Sequence, residues 1–544
     1  MSISKERATA APAGTAGPGR TLAAVDRLRP WWLVAAATAV LLVLLCVRNG
    51  FLFTTRLYED ADMGANSILI EQARHFTLLV GNYSRDHFHH PGPAYMYVQA
   101  AGESLFWAWL HVVPTPWNGQ LLAAFALNSM FLAMVAGVGY GWTRSLRGAA
   151  ACFAVVVAFA SVHPAVLSSD WMPYLYVAAY LAFLVAAASV AAGQARDAWM
   201  LVLAGWFLIH GHACFLFFVP VIGVTVLAFG LWSRWPRRRS GARPAPVRRW
   251  RVWIPVTVIS VVFAFPIAAN LILHWPGQFA DYIDYASSAR AGGHSMATVF
   301  QDVLWYWSPF RNAWAAWTVP AAGFAVAAAV TGWVAPARLR RFLTALLVVN
   351  AVSSLAFFYY AATGIDKIDE RYVGYFYWSA PVITLLVIVL GVVEAITLRW
   401  RLGTVVAVGA AALALVGLAV TPDTRTSTNS SDPAVLSSGP DTDAALRGAV
   451  AAAAARSHGR MIVIRIDHDS WPDMTGFLIQ AERTGVRACV LNPTWTVIVT
   501  SQFICTDAEV AQGQVFWFTP VAPQGSTVLA RLRQAVVTTS PGAP

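Results

Sequence analysis

Apolar stretches close to the length a helix needs to cross a bilayer recur eleven times between residues 31 and 420. A hydrocarbon core takes about 20 helical residues. In lipid, each backbone polar group must find its partner within the segment, so runs of this kind fold as helices. The stretches lie near 31–49, 120–142, 149–167, 174–193, 198–210, 213–232, 252–272, 313–334, 342–362, 373–396 and 402–420. The one at 198–210 is short and admits an extension or an interfacial position. Composition agrees, with 58% of the 544 residues apolar and 12% charged, against about 25% charged in soluble domains. The expected fold class is mainly α, a polytopic transmembrane helical bundle of about 11 spans.

The formal charge is +11, yet the arginines sit mostly in short loops between apolar runs, where they set orientation. No nucleic-acid partner is expected. The stretch 93–113 is interrupted by Gln99, Gly102, Glu103 and His111 and reads as a surface helix instead of a span. Arg144, Arg147, Arg196, the run 234–251, Arg338, Arg340, Arg341, Arg399 and Arg401 then share the side of the basic N-terminus. That side is cytoplasmic by the positive-inside rule. The expected localisation is multi-pass in a plasma membrane, with a cytoplasmic N-terminus and an extracytoplasmic C-terminal domain. Richness in Ala, Arg and Trp fits a high-GC bacterial genome.

The chain divides into a cytoplasmic, disordered N-terminus (1–30), a transmembrane domain (31–420), a Ser/Thr/Pro/Asp linker (421–441) and a small α/β domain (442–544). The first apolar run shows no small-residue cleavage site and reads as a retained anchor. In the tail, 461–467 reads as a buried strand, the segment from Met474 to Gly485 as a helix, and VRACVL, WTVIVTS and QVFWFTP as further strands. Cys46, Cys152 and Cys214 are small core residues, whereas Cys489 and Cys505 share the hydrophilic tail and suit a disulfide in an oxidising compartment.

Polar chemistry collects in the loop 50–119, within YEDADMGANSILIEQARHFTLLVGNYSRDHFHHPGPAYMY. Charges near a bilayer are costly and usually functional. Glu59, Asp60 and Asp62 suit either a general base for an acceptor hydroxyl or a divalent-cation site. His87, His89 and His90 lack the spacing of a zinc site, so no metal–histidine centre is expected. Arg74 and Arg85 are cations of the same loop, and Lys367, Arg371 and Tyr372 belong to a later charged loop, where a cation can bind phosphate. The loop 273–312, Gly-rich and aromatic, is a candidate lid. No P-loop, GxGxxG after a strand, GxSxG elbow or HExxH helix is present. That excludes the common nucleotide-binding and hydrolase signatures.

An acidic motif after the first span, then His90-Pro91-Gly92-Pro93 followed by Tyr95 and Tyr97, then many spans and an external domain, resembles the GT-C glycosyltransferases. Within them the chain is similar to the protein mannosyltransferase and aminoarabinose transferase branch. Glycine interrupts the two prolines, and Asp60 precedes alanine where an acidic pair is the family pattern. Glu370-Arg371-Tyr372 is similar to a late Arg-Tyr element of such enzymes. The resemblance implies a polyprenyl-phosphate sugar donor.

The expected function is transfer of that sugar to a cell-envelope acceptor on the external face, with inversion. Asp60 is the leading base among three open choices, with Asp62 and Glu59 as assistants or cation ligands. His89 and His90 shape the acceptor side, and Arg371 leads Lys367, Arg74, Arg85 and Tyr372 as a donor-phosphate partner. No cofactor beyond a divalent cation is anticipated. The competing classes are a transporter or lipid flippase and a non-catalytic envelope-assembly partner.

Overall fold

A computed structural model describes residues 30–233, 250–287, 293–307, 313–399, 402–421 and 440–539. The N-terminal segment, most of the basic run 234–251, Arg290, Gly292 and nearly all of the linker 421–441 lie outside the described residues. The fold is mainly helical. The first helix, α1 (Pro30–Arg48), leads into the polar loop, which carries α2 (Ala61–Arg74) and α3 (Ala94–Gly102). Six apolar helices follow, α4 (Pro116–Thr143), α5 (Leu146–Val162), α6 (Met172–Ala191), α7 (Ala198–Gly211), α8 (Phe215–Trp232) and α9 (Trp250–Leu273). Two short amphipathic helices, α10 (Gln278–Ser287) and α11 (Met296–Trp305), occupy the next loop. The bundle ends with α12 (Ala313–Ala329), α13 (Ala337–Thr363), α14 (Ser379–Arg399) and α15 (Leu402–Val420).

An apolar helix accompanies every expected span, and among the described residues seven are individually long and apolar enough to cross a membrane. Their surroundings differ in a way that follows from lipid acting as solvent. In α6, 94% of the apolar window is buried by protein, whereas in α9 the share is 6%. An all-round apolar helix is stable in either place, so hydropathy alone does not separate the two. At one end of the bundle arginines cap the helices: Arg338 pairs with buried Glu394 at 2.6 Å, Arg196 donates to the Gly141 carbonyl at 2.9 Å, and Arg341 donates to Ser233 Oγ at 2.6 Å. The opposite end carries the polar loop and the C-terminal domain.

That domain packs α16 (Pro440–Ser457) and α17 (Trp471–Arg483) on a five-stranded sheet of order β2-β1-β3-β5-β4. Strands β1 (Ile462–Ile466), β2 (Ala488–Val490) and β3 (Gln514–Thr519) are parallel, while β4 (Thr527–Arg531) and β5 (Val536–Thr539) add an antiparallel edge. The inner strand β1 is apolar on both faces at Ile462, Val463 and Ile464, as a strand covered on both sides must be. A disulfide joins Cys489 of β2 to Cys505. One expectation is corrected. The segment WTVIVTS is not a strand but a 3-10 turn, Pro493–Trp495, running into a short helix, Thr496–Val499. Pro493 removes a ladder donor and fixes φ, and the Asn492 side chain caps the turn by accepting from Thr494 N at 3.0 Å. The sheet is completed instead by the hairpin β4–β5, in which β5 is buried and the edge strand β4 is largely exposed.

Two clamps fix the start of the polar loop. Asn118, near the start of α4, donates to the Leu52 and Thr55 carbonyls at 2.7 and 2.9 Å, and Thr115 Oγ1 donates to the Leu57 carbonyl at 2.7 Å. Beyond this anchor, α2 packs against α17. Gly64 and Gly476 allow the close approach: a Cβ on Gly64 would lie 2.8 Å from Thr475 Oγ1, and one on Gly476 would lie 2.8 Å from the Glu59 carbonyl. Thr475 Oγ1 donates to the Ala61 carbonyl at 3.0 Å. Buried Glu59 pairs with Arg483 at 2.6 Å, and Arg483 also approaches buried Glu103 at 3.9 Å. Glu103 in turn meets Arg74 at 3.0 Å and accepts from Gln120 Nε2 at 2.8 Å.

Removing one partner of a buried ion pair costs about 3–5 kcal/mol, because the other is left as an uncompensated charge. Arg483→Met is therefore expected to lower the thermal unfolding midpoint of the purified protein and to raise hydrogen exchange in α2. The double change with Glu59→Gln should recover part of the loss. Equal stability of single and double variants would remove the pair from this role.

Candidate active site

Between the helix bundle and the C-terminal domain lies a cavity of about 1580 Å³. Three structural units face it. The polar loop contributes Asp60, Asp62, Tyr83, Arg85 and His90, and the bundle contributes Trp171, His212, Tyr360 and Tyr372. The C-terminal domain contributes Trp471, Asp473, Trp495 and Arg533.

The acidic pair sits at a strained turn. Ala61, between the two carboxylates, has φ of +48°, in the left-handed region, which costs roughly 1–2 kcal/mol for a residue bearing a Cβ. Such strain persists only where surroundings over-determine it, and here the Thr475 hydroxyl grips the Ala61 carbonyl. The consequence is a divergence of roles. Both oxygens of Asp62 are engaged: Tyr83 donates its hydroxyl to Oδ1, and Trp171 Nε1 donates to Oδ2 at 2.7 Å. Asp60 flanks the helix start with no capping hydrogen bond from its side chain. Burial pushes the Asp60 carboxyl up to about 6, with Arg533 opposing and Asp473 and Glu59 reinforcing the rise. Burial also raises Asp62, against the lowering effect of its hydrogen bonds from Tyr83 and Trp171.

The His-Pro motif forms a bent hairpin in which Tyr83 pairs antiparallel with His89, leaving Arg85, Asp86 and His87 at its tip. His87 is another left-handed residue, φ +63°. Only Gly92 fits between the two prolines, since a Cβ there would lie 2.3 Å from His210 Nδ1. His210 Nδ1 accepts from Ala94 N at 3.2 Å, so the histidine turns the motif into α3. His90 lies face-near to His212, with ring centroids 4.2 Å apart, and accepts from Ala213 N at Nδ1, 3.3 Å away. Burial, then the neighbouring His212 and His89, holds His90 well below the usual imidazole range, so it is neutral.

Arg85 is the cation at the cavity wall. It bridges to Asp366 and Glu370 and donates to the Tyr372 hydroxyl at 3.2 Å. Other sequence-identified residues do not face the cavity. Arg371 pairs with Asp302 and packs on Trp305, its guanidinium carbon 5.3 Å from the ring centroid. Lys367 pairs with Glu370 at 3.3 Å. Arg74 and Glu59 belong to the buried network under α17. His89 lies behind the wall, its carbonyl accepting from the Tyr282 hydroxyl at 2.6 Å and its Nδ1 donating to the Gly81 carbonyl at 3.2 Å. Among the described residues no three His, Cys, Asp or Glu side chains converge as metal ligands. Both oxygens of Asp62 already accept hydrogen bonds, from Tyr83 and Trp171.

Sequence reasoning left Trp171, Asp473, Trp495 and Arg533 out of the candidate set. Trp171 lies in a polar turn, Ser168 to Tyr174, on the same side as the loop. Only the three-dimensional return of the C-terminal domain brings the other three to the cavity, Asp473 and Arg533 beside Asp60.

No family model matches the chain, and no curated protein matches it in sequence. Solved structures do match in fold. The crystal structure of ArnT from Cupriavidus metallidurans bound to undecaprenyl phosphate aligns with a TM-score of 0.53 at 14% identity, over 95% of this chain and 100% of that one. The apo structure of the same protein gives a TM-score of 0.53 at 14% identity, over 93% and 97%. The alignments span nearly all of both chains, and the chain has an ArnT-like fold.

Proposed function

We propose that this chain is an integral-membrane glycosyltransferase that moves a sugar from a polyprenyl-phosphate donor to a cell-envelope acceptor on the external face of a plasma membrane. The observation that carries the reading is the cavity at the bundle's end. It sets Asp60 and Asp62 on one wall and Arg85 on another, with aromatic residues of α8 and α13 on the bundle side. The arginine-capped opposite end supports an orientation with the cavity outside. The solved ArnT structure binds undecaprenyl phosphate on the same fold, which supports a polyprenyl-phosphate donor here.

The roles follow from the environments. Asp60 accepts the proton of the acceptor hydroxyl as its oxygen forms a bond to the anomeric carbon, and the bond from that carbon to the lipid phosphate breaks. A carboxylate raised to about 6 is matched to a base working near neutral pH. Asp62, held by Tyr83 and Trp171, orients hydroxyls. Arg85, with Tyr372, offsets the charge that grows on the departing phosphate, which competes with Asp366 and Glu370 for the guanidinium. Arg371 and Lys367 shape the loop that carries Tyr372.

Asp60→Asn is expected to lower kcat by about 10²–10⁴ while donor affinity holds; turnover near wild type would move the base to Asp62. In wild type, kcat should fall about tenfold per pH unit below about pH 6, as the Asp60 carboxylate takes up a proton. A flat profile from pH 7 to 5 would contradict that assignment. Arg85→Met should lower kcat/KM for the donor by about 10–100-fold, the worth of a charge-assisted hydrogen bond to the departing phosphate, whereas Arg371→Met should act mainly on stability. Initial rates with purified protein and a labelled donor separate the two.

A further inference from the structure

We infer that the C-terminal domain provides the acceptor's binding surface, and that this surface fits an uncharged, hydroxyl-rich glycan in preference to a phosphorylated one. The inference rests on the glycosyltransferase reading above and names the acceptor class.

The roof of the cavity is built by this domain. Trp471, at the start of α17, and Trp495, in the turn after β2, are both partly exposed and both face the cavity. The His468 ring lies 5.9 Å from that of Trp495, and Tyr83 from the floor stands edge-on to Trp471 at 6.3 Å. Trp495 belongs to the 3-10 turn Pro493–Trp495, packs partly against the domain's own core and lines the cavity as well. An aromatic face is electron-rich, and the C–H face of a sugar ring complements it. Carboxylates between the rings and the floor complete the surface. Asp473 is fixed by accepting from Gln534 N at 2.6 Å, and Asp60 lies close enough for the two charges to act on each other. Ionised carboxylates only accept hydrogen bonds, and glycan hydroxyls donate them.

Charge sets the preference. Asp60, Asp62, Asp86, Asp366 and Asp473 face the cavity, against Arg85 and Arg533. Arg85, bridged to Asp366 and Glu370, is the cation assigned above to the donor phosphate, so it is not left over for a second phosphate on the acceptor. A phosphate on the acceptor would enter a wall of excess negative charge, in a partly desolvated site where like charges repel more strongly than in water. A neutral glycan meets no such repulsion.

The test uses the full-length protein in lipid nanodiscs without donor, so that binding is read whether or not transfer occurs. Absence of transfer with intact glycan binding would sink the enzymatic reading alone. Short neutral pentose and hexose oligosaccharides are titrated beside their phosphorylated forms and a Ser/Thr-rich peptide, by saturation-transfer NMR and tryptophan fluorescence. The neutral oligosaccharides should bind at least about tenfold more tightly than the phosphorylated ones, and Trp495→Ala should weaken them about tenfold, or about 1.4 kcal/mol. Trp495→Phe, which keeps an aromatic face, should retain most of the affinity and shows that the loss is not a folding defect. Preference for the phosphorylated sugars or the peptide, no binding of neutral oligosaccharides, or unchanged affinity in both Trp471→Ala and Trp495→Ala would overturn the inference.

Discussion

Glu59 is fully buried and Arg483 largely so, one in the loop after α1 and the other at the end of a helix more than four hundred residues later in the chain. Neither charge is tolerable there alone, since a lone buried ion carries a desolvation cost of several kcal/mol. The pair therefore ties the C-terminal domain to the polar loop, and the geometry of the cavity follows from that tie. With α17 seated on α2, Thr475 holds the strained Ala61 peptide, Gly64 and Gly476 let the helices touch, and Asp473 and Arg533 come to face Asp60. A domain that looks appended in the sequence is one wall of the site.

The same network separates two kinds of charged residue that the sequence places side by side. Glu59 and Arg74 hold the architecture, whereas Asp60, Asp62 and Arg85 face open space. Within the acidic run, burial and hydrogen bonding split neighbouring carboxylates into one with fixed oxygens and one free to take a proton. Pairs of titratable groups whose surroundings push them apart are the usual mark of divided acid–base labour.

Much of the fold was legible because lipid imposes a simple rule on sequence. Runs long enough to cross a membrane had to be helices, and an observed helix accompanies each of the eleven stretches. The loop 50–119 stood out because its charges had no other reason to lie beside spans, and Gly92, a departure from the family motif, proved to make room for His210. What was not legible depends on partners distant in the chain. Arg371 reads as a phosphate ligand until Asp302 and Trp305 are found against it. WTVIVTS has the composition of a strand, but Pro493 and the Asn492 cap turn it away, and the sheet takes its edge from a hairpin with too little apolar alternation to announce itself. Trp171, Asp473 and Trp495 carry no local motif. Their placement is a product of tertiary return.

The central claim is that this cavity consumes a lipid-linked sugar. It is tested most directly by incubating purified full-length protein in nanodiscs with a panel of radiolabelled polyprenyl-phosphate sugars and membrane acceptors, and following free polyprenyl phosphate and labelled glycan together. Release of polyprenyl phosphate from a particular donor, matched by label on the acceptor and lost in Asp60→Asn, is the expected result. No consumption of any donor by folded protein, or consumption undiminished in Asp60→Asn and Asp62→Asn alike, would contradict it.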